Sequence, residues 1–158
     1  CWKNKILEMK SKKKMNKILF ICTANIFRSR FSEETFNYLA KKNDLDYRAF
    51  SAGLKVGEYL TMKMAAKTIK HLQLIGIKPV RSNERCIHVD DLNLENFQRI
   101  ICMDEKEHYP MVQSNFHLQN VKIEYWDIID EPKVKGDVSM PYCYKRVNDL
   151  ILEIKKSI

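Results

Sequence analysis

The sequence predicts one α/β domain, a central parallel sheet of about four strands with helices on both faces. Three observations point there. Short apolar runs alternate along the chain with segments of helical spacing. A length of 158 residues suits one domain. No internal repeat and no Pro/Gly/Ser-rich linker divides those residues.

Each element has its own reason. Lys17–Ile21 (KILFI) is a short apolar run that reads as a buried strand. Cys22–Arg28 lacks helical pattern. From Ser29, Phe31, Thr35, Tyr38 and Leu39 recur at helical spacing, with Ser29 or Ser32 as the cap, Glu33 and Glu34 in the first turn, and Lys41 and Lys42 in the last. Tyr47–Ser51 reads as a second strand closed by Gly53, and Met62–Leu74 as a helix with Gly76 as its cap. Asp91–Phe97 suits a short helix, Arg99–Met103 a third strand and Val121–Trp126 a fourth. Tyr144–Lys155 forms a terminal helix with Val147, Leu150, Ile151 and Ile154 on one face.

Hydrophobic residues make up 45% and charged residues 30%, a globular mix that excludes disordered and collagen-like classes. The longest apolar run, Ile18–Cys22, is far too short to span a membrane. The formal charge of +8 is unevenly spread. Residues 1–14 hold six lysines and one glutamate, a net +5, leaving +3 for the other 144. That stretch is expected to be a flexible, solvated leader, with the folded domain over residues 15–158 and nucleic acid not expected as a partner. It lacks the apolar length of a secretory signal. Five cysteines (Cys1, Cys22, Cys86, Cys102, Cys143) show no zinc spacing, so reduced thiols and a cytoplasmic location are the expectation, with no metal or cofactor.

In a parallel sheet the site lies beyond the carboxyl ends of the strands, which singles out the loop after the first one. It reads Cys22-Thr23-Ala24-Asn25-Ile26-Phe27-Arg28-Ser29. A short loop entering a helix turns successive N–H groups into one concavity, and the helix dipole adds positive charge. A phosphate dianion satisfies those donors, and Arg28 can grip two of its oxygens. The same field favours thiolate over thiol at Cys22, while Ser29 can donate a hydrogen bond to the sulfur.

ILFICTANIFRS followed by RFSEE resembles the low-molecular-weight protein tyrosine phosphatases, whose signature is an apolar strand and then Cys-x5-Arg-Ser/Thr. Further segments match in order: Ser51-Ala52-Gly53, RIICMDEKEH, and Tyr125 to Pro132, which resembles the loop carrying the family's general acid. The resemblance implies a three-layer, flavodoxin-like fold and metal-independent hydrolysis of a phosphomonoester, with phosphotyrosine protein as substrate. It implies that Cys22 forms a cysteinyl-phosphate and that Arg28 stabilises the equatorial oxygens. Thr23, Ala24, Asn25, Ile26, Phe27 and Ser29 would bind the phosphate, with Asn25 and Ser51 shaping the loop. Asp130 is the general acid of choice, Glu131 the alternative and Asp127 a weaker one.

The chain also departs from the family. It has Asp130-Glu131-Pro132 where relatives have Asp-Pro, Ala24 where many have glycine, and Phe27 where some carry a second cysteine. Lys133-Val134-Lys135-Gly136 replaces the usual aromatic residues, leaving Phe27 with Tyr125 or Trp126 as walls for a phenyl ring. Two other functions compete: a weakly catalytic phosphate- or phosphoprotein-binding module, and arsenate reduction. The latter, when coupled to thioredoxin, needs two further cysteines close together, and Cys86 and Cys102 lie 16 positions apart. The four histidines show no ligand spacing and read as surface groups or groups behind the site, and Asp104 as a group behind it.

Overall fold

The computed structural model describes residues 15–158; the lysine-rich leader lies outside the described residues. Four strands, β1 (Asn16–Cys22), β2 (Tyr47–Gly53), β3 (Arg99–Cys102) and β4 (Glu124–Tyr125), form one sheet in the order β2-β1-β3-β4, every pairing parallel. Four α-helices cover it: α1 (Arg28–Lys42), α2 (Ala66–Leu74), α3 (Glu105–Gln113) and α4 (Gly136–Ser157).

The central strand explains the layering. Ile18, Phe20 and Cys22 face one core with Phe31, Phe36, Val147 and Ile151 from α1 and α4. Leu19 and Ile21 face a second core with Val89, Leu94, Val112 and Leu118. A strand covered on both faces has no polar face to present, so its sequence is a continuous apolar run. Because β1 lies between β2 and β3, successive crossovers leave it in opposite directions. The carboxyl end of β1 is therefore the switch point of the sheet, where such folds open a crevice.

Several boundaries differ from the sequence expectation. Ser29 and Ser32 do not cap α1, which starts at Arg28 behind Phe27 with no side-chain cap. Ser29 turns to Cys22, and Ser32 donates to the Arg28 carbonyl at 2.9 Å. Glu33 and Glu34 sit in the second turn, buried and bonded to other side chains and amides. Met62–Ala65 is not helical: Ala65 is extended, its N–H held by the Ile26 carbonyl at 3.1 Å, and α2 begins after it. Gly76 follows α2 at a φ of +75°, a left-handed turn that glycine adopts without strain. The expected helix over Asp91–Phe97 is two 3₁₀ turns, Val89–Asp91 and Leu94–Asn96. The third strand stops at Cys102, one residue short, and the fourth shrinks to Glu124–Tyr125, an edge pairing with β3 alone. The terminal helix starts eight residues early, at Gly136, with Pro141 inside its first turns. The sequence pattern predicts no helix over Glu105–Gln113, where α3 stands.

Candidate active site

Cys22 ends β1, and the chain reaches α1 only six residues later. Asn25 makes that tight passage by adopting a left-handed φ of 62°, which turns its N–H to 3.3 Å from Cys22 Sγ. Ser29 Oγ lies 2.9 Å from the same sulfur. The first-turn amides of α1 have no side-chain cap, so they remain available to an anion.

A directed hydrogen-bond chain stands behind the sulfur. Glu33, gripped at both oxygens by Arg81, accepts the Ser51 hydroxyl proton at 2.8 Å. Ser51 must then accept elsewhere, and Asn25 Nδ2 donates to it at 2.9 Å and to Ser29 Oγ at 3.0 Å. Ser29, already accepting, keeps its own proton for Cys22 Sγ. The Asn25 carbonyl oxygen of the side chain accepts Ile87 N–H at 3.0 Å, so every polar atom of this buried amide is used. The Glu33 hydrogen bond, acting against burial, pushes the Arg81 guanidinium above its ordinary value. Buried Arg30 closes the loop from beneath, bonding the backbone carbonyls of Asn25, Arg81 and Glu84.

Arg28 is only 2% exposed. Its Nη1 donates to the Ile128 carbonyl at 3.0 Å, and its Nη2 contacts Glu107 Oε2 at 2.5 Å and Asp130 Oδ2 at 3.4 Å. Burial alone would lower its pKa, but the charges of Cys22, Asp130 and Glu107 outweigh it and raise it. The guanidinium therefore joins the loop to the segment after β4. Cys22, Thr23, Ala24, Ile26, Phe27, Arg28, Glu107 and Asp130 line one cleft of about 250 Å³, joined by Tyr59 and Lys67. A larger groove of about 650 Å³, between α1 and the start of β2, carries no nucleophile; the chemistry sits in the smaller cleft because Cys22 is in its wall.

The three acidic residues separate clearly. Asp130 lines the cleft. Glu131 does not line the cleft: its carboxylate accepts from Lys67 Nζ at 3.0 Å and Gly136 N–H at 3.0 Å, and that pairing with Lys67 lowers its pKa. Asp127 bonds Tyr142 Oη at 2.6 Å, outside the cleft. The aromatic walls differ from expectation. Trp126 packs on Phe20 in the core, with ring centroids 5.6 Å apart, and Tyr125 packs on Tyr109. Tyr59 lines the cleft instead, and Lys67 Nζ sits 4.3 Å from the Phe27 ring centroid.

Sequence reasoning missed Glu107, Lys67 and Tyr59, and left His108 without a role. His108 is fully buried; its Nδ1 accepts Asp104 N–H at 3.0 Å, so Nε2 carries the ring proton. Nε2 lies 2.8 Å from Glu107 Oε2 and 3.1 Å from Thr23 Oγ1. Burial would raise the Glu107 pKa, yet the His108 hydrogen bond and the Arg28 charge hold it at about 2. Burial pushes the Cys102 and Cys143 thiols up to about 12 and raises Cys86 as well, outweighing the nearby arginine charges at Cys143 and Cys86. Among the described residues, no group of three His, Cys, Asp or Glu side chains converges to hold a metal ion.

Residues 17–157 match the profile of the family described as low molecular weight phosphotyrosine protein phosphatase. The chain belongs to that family. Within it, the chain is 26% identical over 141 residues to an arsenate reductase of Shouchella clausii, covering 88% of this chain and 92% of the relative. YfkJ from Bacillus subtilis superposes with a TM-score of 0.79 at 24% identity, covering 93% of this chain and 99% of that one. A low molecular weight protein tyrosine phosphatase from T. tengcongensis gives 0.72 at 21%, covering 90% and 99%. These two likenesses establish the flavodoxin-like fold of the family. Both phosphatases and arsenate reductases share this scaffold.

Proposed function

We propose that this family member hydrolyses phosphomonoesters through a cysteinyl-phosphate, with phosphotyrosine on a protein as the substrate class. The observation that carries the reading is the meeting in one cleft of Cys22, Arg28 and Asp130, the last drawn from a loop a hundred residues away. The Cys22 thiolate attacks phosphorus, the S–P bond forms, and the P–O bond to the leaving group breaks. Arg28 and the amides of the loop hold the equatorial oxygens as charge spreads over them. Asp130, protonated, gives its proton to the leaving oxygen. A water then loses a proton to the Asp130 carboxylate and attacks phosphorus, and the S–P bond breaks. Ser29 donates to the departing sulfur, which lowers the cost of expelling it. Phe27 and Tyr59, both lining the cleft, support an aryl leaving group. A reducing compartment, the cytoplasm, suits a mechanism that depends on a free thiol. No helix among the described residues is long and apolar enough to cross a membrane.

Arsenate reduction is the second reading, favoured by the 26%-identical arsenate reductase. It requires a second thiol to attack the arsenylated cysteine and form a disulfide as arsenic leaves reduced. Cys86, Cys102 and Cys143 are all buried and none of them lines the cleft, which argues against each as that thiol.

Steady-state hydrolysis of an aryl phosphate with chelator present separates these. Turnover in the intact protein, lost in Cys22→Ser and strongly reduced in Asp130→Ala but not in Glu131→Ala, supports the phosphatase. Oxyanion binding without turnover supports a binding module, and arsenate-dependent thiol consumption supports the reductase.

A further inference from the structure

An anion site gains from cations and loses from carboxylates, yet the Glu107 carboxylate is built into this one. Its Oε2 lies 2.5 Å from Arg28 Nη2 and 2.8 Å from His108 Nε2. It stands in the first turn of α3, where the helix dipole also favours a negative charge. His108 cannot swing away, because its Nδ1 is tied to the Asp104 amide and its ring is fully buried. The carboxylate is thus held in place by its surroundings and stays ionised at any working pH.

Its position on Arg28 matters. A guanidinium offers an oxyanion two forks, Nη1 with Nη2 and Nε with Nη2, and Nη2 belongs to both. Nη1 commits one of its two N–H groups to the Ile128 carbonyl. Asp130 Oδ2 stands 3.4 Å from the same Nη2, so two carboxylates crowd the nitrogen that either fork requires. An entering phosphate meets Glu107 at that nitrogen and feels its charge at close range in a largely buried site.

We propose that Glu107 is an internal competitor for Arg28 that weakens the ground-state hold on oxyanions such as inorganic phosphate. An enzyme that bound its own product tightly would be slowed by it, so a built-in carboxylate favours release. The inference rests on the reading of this cleft as a phosphate site.

Calorimetric titration with inorganic phosphate, together with KM for an aryl phosphate, tests it in the full chain. Glu107→Gln keeps the shape and an oxygen for Arg28 and His108 while removing the charge. It should bind phosphate about tenfold more tightly than the unaltered protein and show a lower KM. Glu107→Asp withdraws the carboxylate by one methylene and should tighten binding by roughly threefold, which provides the test if the Gln variant folds poorly. A carboxylate that merely anchored Arg28 would give the opposite sign, with weaker phosphate binding and a higher KM in both variants. Unchanged or weaker binding in the folded variants overturns the proposal. Absence of phosphate binding in both the unaltered protein and Glu107→Gln overturns the phosphate-site reading itself.

Discussion

Replacing Asn25 by alanine would remove the residue on which the loop's geometry converges. Its side chain donates to Ser29 and Ser51 and accepts from the Ile87 amide, three bonds of 3.0, 2.9 and 3.0 Å. At a net contribution of about 1 kcal/mol per bond, their loss costs roughly 3 kcal/mol. Alanine must also occupy the left-handed φ of 62°, which costs roughly a further 1 kcal/mol. The expected loss is therefore about 4 kcal/mol, a large share of a typical domain's 5–15 kcal/mol. Asn25→Gly loses the same bonds but tolerates the backbone, so the pair should differ by roughly 1 kcal/mol less its own entropy cost. Urea unfolding followed by circular dichroism gives both values from midpoint and slope. Because the loop positions the sulfur, turnover should fall by about a hundredfold as well. A loss of stability below roughly 1 kcal/mol for Asn25→Ala would refute the claim that this amide holds the loop.

Two further perturbations probe neighbouring parts of the account. At Gly53 an added Cβ would meet the Thr23 carbonyl oxygen at 2.7 Å and Val56 Cγ2 at 2.9 Å, so Gly53→Ala should displace the start of the anion loop. A cost of about 1–3 kcal/mol in unfolding and reduced turnover are expected; unaltered values for both would contradict this packing. Glu107 has a folded pKa held near 2, below its unfolded value, so its contribution to stability is present above about pH 4.5 and lost as pH falls through about 2. With the side chain 32% exposed, solvent screening trims the contribution to roughly 2 kcal/mol. Unfolding at roughly pH 5 and pH 3 should show a steeper loss in the unaltered protein than in Glu107→Gln, and equal slopes would contradict it.

The loop from Cys22 to Ser29 was legible because its parts are contiguous and each residue type has a chemical reason to be there. The continuous apolar run of β1 and the apolar stripe of α4 were legible for the same local reason. Helix α3 was not. Its first half is polar, Pro110 interrupts it, and only His108 and Val112 are buried, so no apolar period announces it. Serine and glutamate near the start of α1 carry an ordinary capping pattern, but Ser29 and Glu33 are drawn into bonds with Cys22 and Ser51, and the local preference yields. Glu107, Lys67 and Tyr59 reach the cleft from three separate elements, and only the folded chain brings them there. The Asp130 register came from resemblance rather than from any pattern a carboxylate must obey.

The central claim is that Cys22 carries the phosphoryl group between substrate and water. Rapid quenching into acid during hydrolysis of an aryl phosphate, followed by peptide mass analysis, measures that directly. One phosphoryl group on Cys22, absent in Cys22→Ser and formed together with a stoichiometric burst of phenol, is the predicted result. Full turnover with no label on Cys22, or undiminished turnover in Cys22→Ser, would contradict the account.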